Sequence, residues 1–211
     1  MKHWVFDLDG TLVDSFSFYF DILKTIFTET GIEFKDEHRR QSLLTPVPHF
    51  VAKFFEEIRV AEVISRINTQ SNEDTKNIRP FDGVEKTLQH LASKNIPMAV
   101  WTSRDLNSAS MILNHTGLKQ YFEKVVSGTC VQKHKPNPEG LEQIIQVFGS
   151  KPSETVVVGD HEIDMLGTKS AGAVGVRASW HGYWDMEKCS HATHQFYTTD
   201  AFHKWVDESL L

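Results

Sequence analysis

From about residue 80 onward, short β-branched runs alternate with helical patterns, and that alternation leaves the chain few architectures. Met98–Thr102, Lys124–Ser127, Thr155–Gly159 and Ala173–Arg177 read as strands. Val84–Lys94, Asp105–His115, Pro138–Phe148 and Ile163–Ala171 read as the helices around them. Strand–helix alternation implies a parallel sheet with helices on both faces, and near-continuous apolar strands agree with a doubly covered sheet. Pro97, Pro136, Pro138 and Pro152 fall at the joints, where a missing N–H does least harm.

One further strand precedes these. Trp4-Val5-Phe6 runs straight into Asp7-Leu8-Asp9-Gly10-Thr11-Leu12-Val13-Asp14-Ser15. Alternate residues of a strand share a face, so Asp7 and Asp9 can both point to one site if the extended geometry persists. Gly10 permits a sharp turn there. Asp-Gly is also a frequent turn, so the pair alone is consistent with a solvated loop. Paired carboxylates at a strand end otherwise read as a magnesium and phosphoryl-transfer site.

Residues 15–79 differ. Ser15 can cap a helix through Phe16, Phe18, Tyr19, Phe20, Ile22, Leu23, Ile26 and Phe27, which Gly31 ends. Pro48–Ile67 carries one more helical pattern, and Thr69–Lys76 reads as a polar loop. No strand signal occurs, so residues 15–79 are expected to form an all-helical insertion into an α/β core of residues 1–14 and 80–211. Thr193–Tyr197 is expected as an edge strand and Asp200–Leu211 as a closing helix.

The chain of 211 residues suits one large domain or one with an insertion. Its 22 basic against 28 acidic residues, a net charge of −6, argue against nucleic acid as a partner. Cys130 and Cys189 supply neither a disulfide framework nor a zinc spacing. The first strand starts by His3, with no room for a signal peptide, and no apolar run reaches membrane-spanning length. The expectation is a cytoplasmic protein, monomer or homodimer, with no membrane partner.

Ligands of parallel sheets bind beyond the carboxyl ends of the strands. Those ends carry Asp7 and Asp9; Thr102, Ser103 and Arg104; and Asp160 with Asp164. Lys133-His134-Lys135-Pro136 precedes the helix at Pro138. Carboxylates, hydroxyls and a lysine on one edge are what phosphoryl transfer needs, because an anionic nucleophile is repelled by phosphate unless cations offset the charge. Taken singly, Lys135 also reads as a loop lysine, Thr102 as a helix cap, Asp164 as a helix-face acid and Arg104 as an exposed helix-start arginine.

In sequence order these residues resemble the four motifs of the haloacid dehalogenase (HAD) superfamily hydrolases with an inserted helical cap. The first motif is DLDGTLVDS and the second Trp101-Thr102-Ser103. Lys135-Pro136-Asn137-Pro138 is the third. Val158-Gly159-Asp160 with Asp164-Met165 and Ala171-Gly172 is the fourth. The resemblance implies a doubly wound, Rossmann-like α/β core with an all-helical cap. It implies Asp7 as the nucleophile forming an aspartyl-phosphate. Asp9 would serve as general acid then base, Thr102 would bind the phosphoryl group and Lys135 would balance charge. Mg²⁺ would be held by Asp7, Asp9 (through its backbone carbonyl), Asp160 and Asp164. Substrate contacts would come from Ser103 and Arg104, and from Arg39, Arg40 and His49 of the cap.

Within the superfamily, Asp9 disfavours dehalogenases and phosphonate hydrolases, which lack that aspartate; the latter would need a cap lysine such as Lys35 or Lys53. Sugar-phosphate mutases tend to carry a histidine where this chain has Phe18, Tyr19 and Phe20. The resemblance is greatest to phosphoglycolate phosphatase-like enzymes, and a small phosphorylated metabolite is the expected substrate. Phospho-receiver modules, which regulate rather than hydrolyse, share the chemistry. They draw their acidic residues from separate strands and lack such an insertion. Cys189, His191 and His194 read as a polar surface loop rather than a metal site, and His181-Gly182-Tyr183 as a loop near the active edge.

Overall fold

The computed structural model describes residues 2–73, 75–183 and 189–210. The chain divides into two units, one of residues 1–14 and 79–211 and the other of residues 15–78.

The first unit is a six-stranded parallel sheet: β1 (His3–Phe6), β2 (Met98–Trp101), β3 (Lys124–Val126), β4 (Thr155–Gly159), β5 (Val174–Ala178) and β6 (His194–Phe196). Its order is β3-β2-β1-β4-β5-β6. The chain winds outward from β1 to β3, then returns to place β4 on the other side of β1. The topological switch point therefore lies beside β1. Register is set by pairs such as Val5 with Ala99 on β2 and Val5 with Val157 on β4.

The two faces follow from alternation along β1. Val5 packs with Ala99, Trp101, Val126 and Val157 against Leu141, Ile144 and Ile145 of α7 (Glu139–Phe148). Trp4 and Phe6 point the other way. Trp4 meets Phe202 and Trp205 of α9 (Thr199–Ser209), and Phe6 meets Phe122. Helix α8 (Glu162–Ala171) lies beside α7, and α5 (Val84–Ser93) beside α9. Helix α6 (Leu106–His115) follows β2, its N-terminus capped by Asp105 Oδ1, which accepts the Ser108 N–H at 2.9 Å. This is the doubly wound architecture expected. Leu211, within the expected closing helix, lies outside the described residues.

The second unit is helical: α1 (Ser15–Glu29), α2 (Asp36–Leu44), α3 (Val47–Val51) and α4 (Glu57–Glu73). Its core gathers Leu23, Ile26 and Phe27 of α1, Phe50, Val51 and Phe55, and Val63 and Ile67 of α4. Phe27 sits at the centre, with ring centroids of Phe34, Phe50, Phe54 and Phe55 5.0–6.1 Å away. Three sequence expectations are corrected here. Helix α2, polar up to its last two residues as DEHRRQSLL, carries no periodic apolar signal and is absent from the sequence expectation. The Pro48–Ile67 pattern is two helices, because residues 52–56 turn to bring Phe54 and Phe55 onto Phe27. The supposed loop from Thr69 continues α4 to Glu73, since nothing in that polar stretch breaks a helix, and Thr75–Asn77 then forms a short 3₁₀ turn; Asp74 lies outside the described residues.

Candidate active site

Asp7 is the first residue beyond β1, yet its N–H donates to Val158 O at 2.8 Å, so the ladder with β4 still holds it. The chain then folds back. Gly10 has φ +74°, the left-handed region in which glycine is favoured, and its N–H donates to Val13 O at 3.0 Å. Leu12 and Val13 both donate to Leu8 O, at 3.0 and 3.1 Å. Asp9 therefore sits, half-buried, in a tight hydrogen-bonded turn and not in a loose loop.

Lys135 ties three elements together. Its Nζ donates to Asp7 Oδ1, Asp164 Oδ1 and Trp101 O, each at 2.7 Å, and its side chain is 3% exposed. The ammonium also lies 4.4 Å from the centroid of the Trp101 ring. Trp101 can lie there because α7 and α8 present glycines to it. A Cβ on Gly140 would come within 2.6 Å of Trp101 Nε1, and one on Gly167 within 2.7 Å of its Cη2.

Asp7, Asp160 and Asp164 are all buried and offer carboxylate oxygens within 4.8 Å of one another. Burial pushes the Asp7 carboxyl well up; Lys135 opposes this, while Asp164, Asp160 and Asp9 add to it. Burial works against the Lys135 ammonium, but Asp164 and Asp7 outweigh it and hold its pKa above the ordinary lysine value. Lys135 thus pairs with two of three clustered carboxylates. A set of hard oxygen donors with surplus negative charge suits a small divalent ion such as Mg²⁺.

Thr102, buried at the end of β2, accepts the Arg104 N–H through Oγ1 at 3.1 Å. Arg104 turns inward, and its Nε donates to both Asp9 oxygens, at 2.9 and 2.7 Å. Burial lowers the guanidinium pKa, and Asp9 more than reverses this, so the net shift is upward. Ser103 is exposed. The α/β unit therefore brings Asp7, Asp9, Thr102, Arg104, Lys135, Asp160 and Asp164 to one sheet edge. Arg39, Arg40 and His49 are exposed residues of the helical unit, where Arg39 pairs with Asp36 at 3.3 Å and lies over the Phe20 ring.

Sequence alone does not reveal how closely two residues approach this set. Trp101 reads only as the apolar strand end of the second motif. His181 lies in the loop expected near the active edge, with its Nε2 3.4 Å from Asp160 Oδ2. Burial, with Arg177 adding, pulls the His181 pKa down to about 4, against the opposing charge of Asp14. Its Nδ1 accepts the Tyr183 N–H at 2.9 Å, which leaves Nε2 as the protonated nitrogen of the neutral ring. A histidine in an apolar-flanked loop after the last central strand was the available signal.

The Cys189–His194 segment is less of a surface loop than expected. Cys189 is buried and its N–H donates to Gln195 Oε1 at 2.9 Å. His191 lies 3.6 Å from Glu162, and His194 is on β6 with its ring 4.7 Å from that of Trp205. Among the described residues these side chains form no metal cluster.

Comparison with known proteins shows what the chain resembles. A pyrophosphatase PpaX of Bacillus cereus (strain AH820) is 29% identical over 181 residues, covering 83% of this chain and 82% of that protein. A Thermotoga maritima protein provisionally named beta-phosphoglucomutase superposes with a TM-score of 0.82 at 21% identity, covering 99% of each chain. A HAD-superfamily hydrolase, subfamily IA, variant 1, from Geobacter sulfurreducens gives 0.81 at 23% identity, covering 98% of this chain and 96% of that one. The family model described as haloacid dehalogenase-like hydrolase matches residues 4–178, which takes in the sheet edge and all four motifs. The chain belongs to the haloacid dehalogenase-like hydrolase family.

Proposed function

We propose that the chain is a Mg²⁺-dependent phosphoric monoester hydrolase that acts on a small phosphorylated metabolite through an aspartyl-phosphate. The observation that carries this reading is the placement of Lys135 Nζ 2.7 Å from both Asp7 and Asp164, with Asp9 two residues further along the same edge. Asp7 attacks phosphorus with a carboxylate oxygen, and the ester oxygen leaves with a proton from Asp9. Asp9 then takes a proton from water, whose oxygen attacks the phosphorus and releases inorganic phosphate and free Asp7. Lys135 offsets the charge of nucleophile and phosphoryl group throughout, and Thr102 offers its hydroxyl to the phosphoryl oxygens. The carboxylates of Asp7, Asp160 and Asp164 and the backbone carbonyl of Asp9 would hold the metal. Bound there, Mg²⁺ would neutralise the phosphoryl oxygens and keep them in line for attack. The helical unit would act as the cap that selects substrate, with Arg39, Arg40 and His49 as its candidate contacts.

Phe18, Tyr19 and Phe20 in place of an early cap histidine favour hydrolysis over mutase chemistry. The test is phosphate release across a metabolite panel with Mg²⁺ or with chelator, alongside a sugar 1-phosphate isomerisation assay. The panel includes inorganic pyrophosphate, on account of the similarity to the B. cereus protein. Metal-dependent release from monoesters supports the reading. Isomerisation without release, or full activity in chelator, overturns it.

A further inference from the structure

Asp9 has to aim one carboxyl group at two reacting atoms in turn, the leaving oxygen and then the attacking water. The terminal torsion of an aspartate is broad, so a carboxyl without a partner has a poorly defined plane. Here the plane is defined from the side by Arg104, whose Nε lies 2.9 Å from Oδ1 and 2.7 Å from Oδ2.

Arg104 is itself braced at three points. Its Nη1 donates to Ser108 Oγ at 3.0 Å, and Ser108 is buried in the first turn of α6, where its own N–H is capped by Asp105. The Arg104 N–H donates to Thr102 Oγ1, and the Arg104 carbonyl accepts the Gly128 N–H at 2.7 Å. That last approach needs glycine: a Cβ at residue 128 would lie 2.5 Å from Ser103 O. An exposed arginine at a helix start needs none of this.

We infer that Arg104 is a positioning residue, which orients the carboxyl of Asp9 for proton transfer and is held in place by Ser108, Thr102 and the Gly128 backbone. The inference rests on the phosphatase reading and adds to it a residue 95 positions away from Asp9. It also separates two roles for Arg104. A residue that mainly gripped the substrate would change binding of all phosphate esters alike. A residue that aims the proton donor matters most when the leaving oxygen most needs a proton.

The experiment compares p-nitrophenyl phosphate with phenyl phosphate, two esters of similar shape whose leaving groups differ in acidity, in the presence of Mg²⁺. We expect Arg104→Ala to lower kcat/KM for phenyl phosphate about 10-fold more than for p-nitrophenyl phosphate, a fraction of what full acid–base catalysis supplies. Ser108→Ala should move the ratio in the same direction by less, because it loosens the brace and leaves Nε in place. It also carries the test if Arg104→Ala does not fold. Equal losses on both esters, or a rise in KM alone, overturn the positioning role while leaving the phosphatase reading intact. A wild-type enzyme that turns over neither ester overturns both.

Discussion

Lys135 shows how one side chain can make a site out of elements far apart in the chain. It joins the end of β1 to the end of β2 and the first turn of α8, and it is nearly inaccessible to water. Removing it leaves Asp7, Asp160 and Asp164 as crowded buried carboxylates. Lys135→Met should therefore destabilise the protein by roughly 3–5 kcal/mol in chemical denaturation. It should also cut kcat by about 10²–10³-fold in a phosphate-release assay. A variant as stable as wild type would mean that the pairing is energetically idle. From sequence, Lys135 was legible as a candidate only through its place in an ordered set of motifs. Its cation–π contact with Trp101 was not, because that contact depends on the small residues Gly140 and Gly167 of two other helices. Arg104 was legible as present but not in its orientation, which is fixed by a partner 95 positions away.

At the scale of elements, the sheet was readable because its central strands are near-continuous apolar runs, and boundaries moved by only a residue or so: Lys124–Ser127 became Lys124–Val126 and Ala173–Arg177 became Val174–Ala178. The helical unit was harder. Helix α2 has few apolar residues to reveal a period, and the break between α3 and α4 is imposed by tertiary packing on Phe27 and not by a local breaker. Where the end of β4 meets α8, a Cβ on Gly159 would lie 2.6 Å from Asp164 Cβ and 2.7 Å from its Cγ. Gly159→Ala should thus displace Asp164 and raise the Mg²⁺ concentration for half-maximal activity about 10-fold, with the far-ultraviolet circular dichroism unchanged. An unaltered Mg²⁺ dependence would remove Asp164 from the metal site. Helices α5 and α9 meet through histidines. The His203 ring lies 5.7 Å from that of His90, and its Nδ1 is 3.1 Å from Thr87 Oγ1. Burial lowers the His203 pKa below its ordinary 6.5, helped by Lys86 and His90 and opposed by Asp207 and Asp200. Below that value the unfolded chain takes up the proton more readily than the folded one. Its contribution is therefore present above pH 6.5 and lost as pH falls toward the lowered value. His203→Gln should lose less of its thermal midpoint than wild type between about pH 7.5 and 5.5; an identical loss would exclude His203 as a source of acid sensitivity.

The whole molecule is an acidic α/β unit interrupted after its first strand by a helical one, residues 15–78. No helix among the described residues is long and apolar enough to cross a membrane. Net charge, the insertion after the first strand and the candidate site edge were all legible in the chain because they rest on composition, period and motif order. The ligand that the proposed cap would select was not, since Arg39, Arg40 and His49 are ordinary exposed residues of a helical surface and nothing in their spacing names one. The central claim, that Asp7 carries the phosphoryl group, is tested most directly by the initial rate of phosphate release by Asp7→Asn, with Mg²⁺, on the best substrate of the panel. The account predicts a fall of about 10³-fold or more for a folded variant that still binds phosphate. Retention of appreciable Mg²⁺-dependent turnover by Asp7→Asn would contradict it.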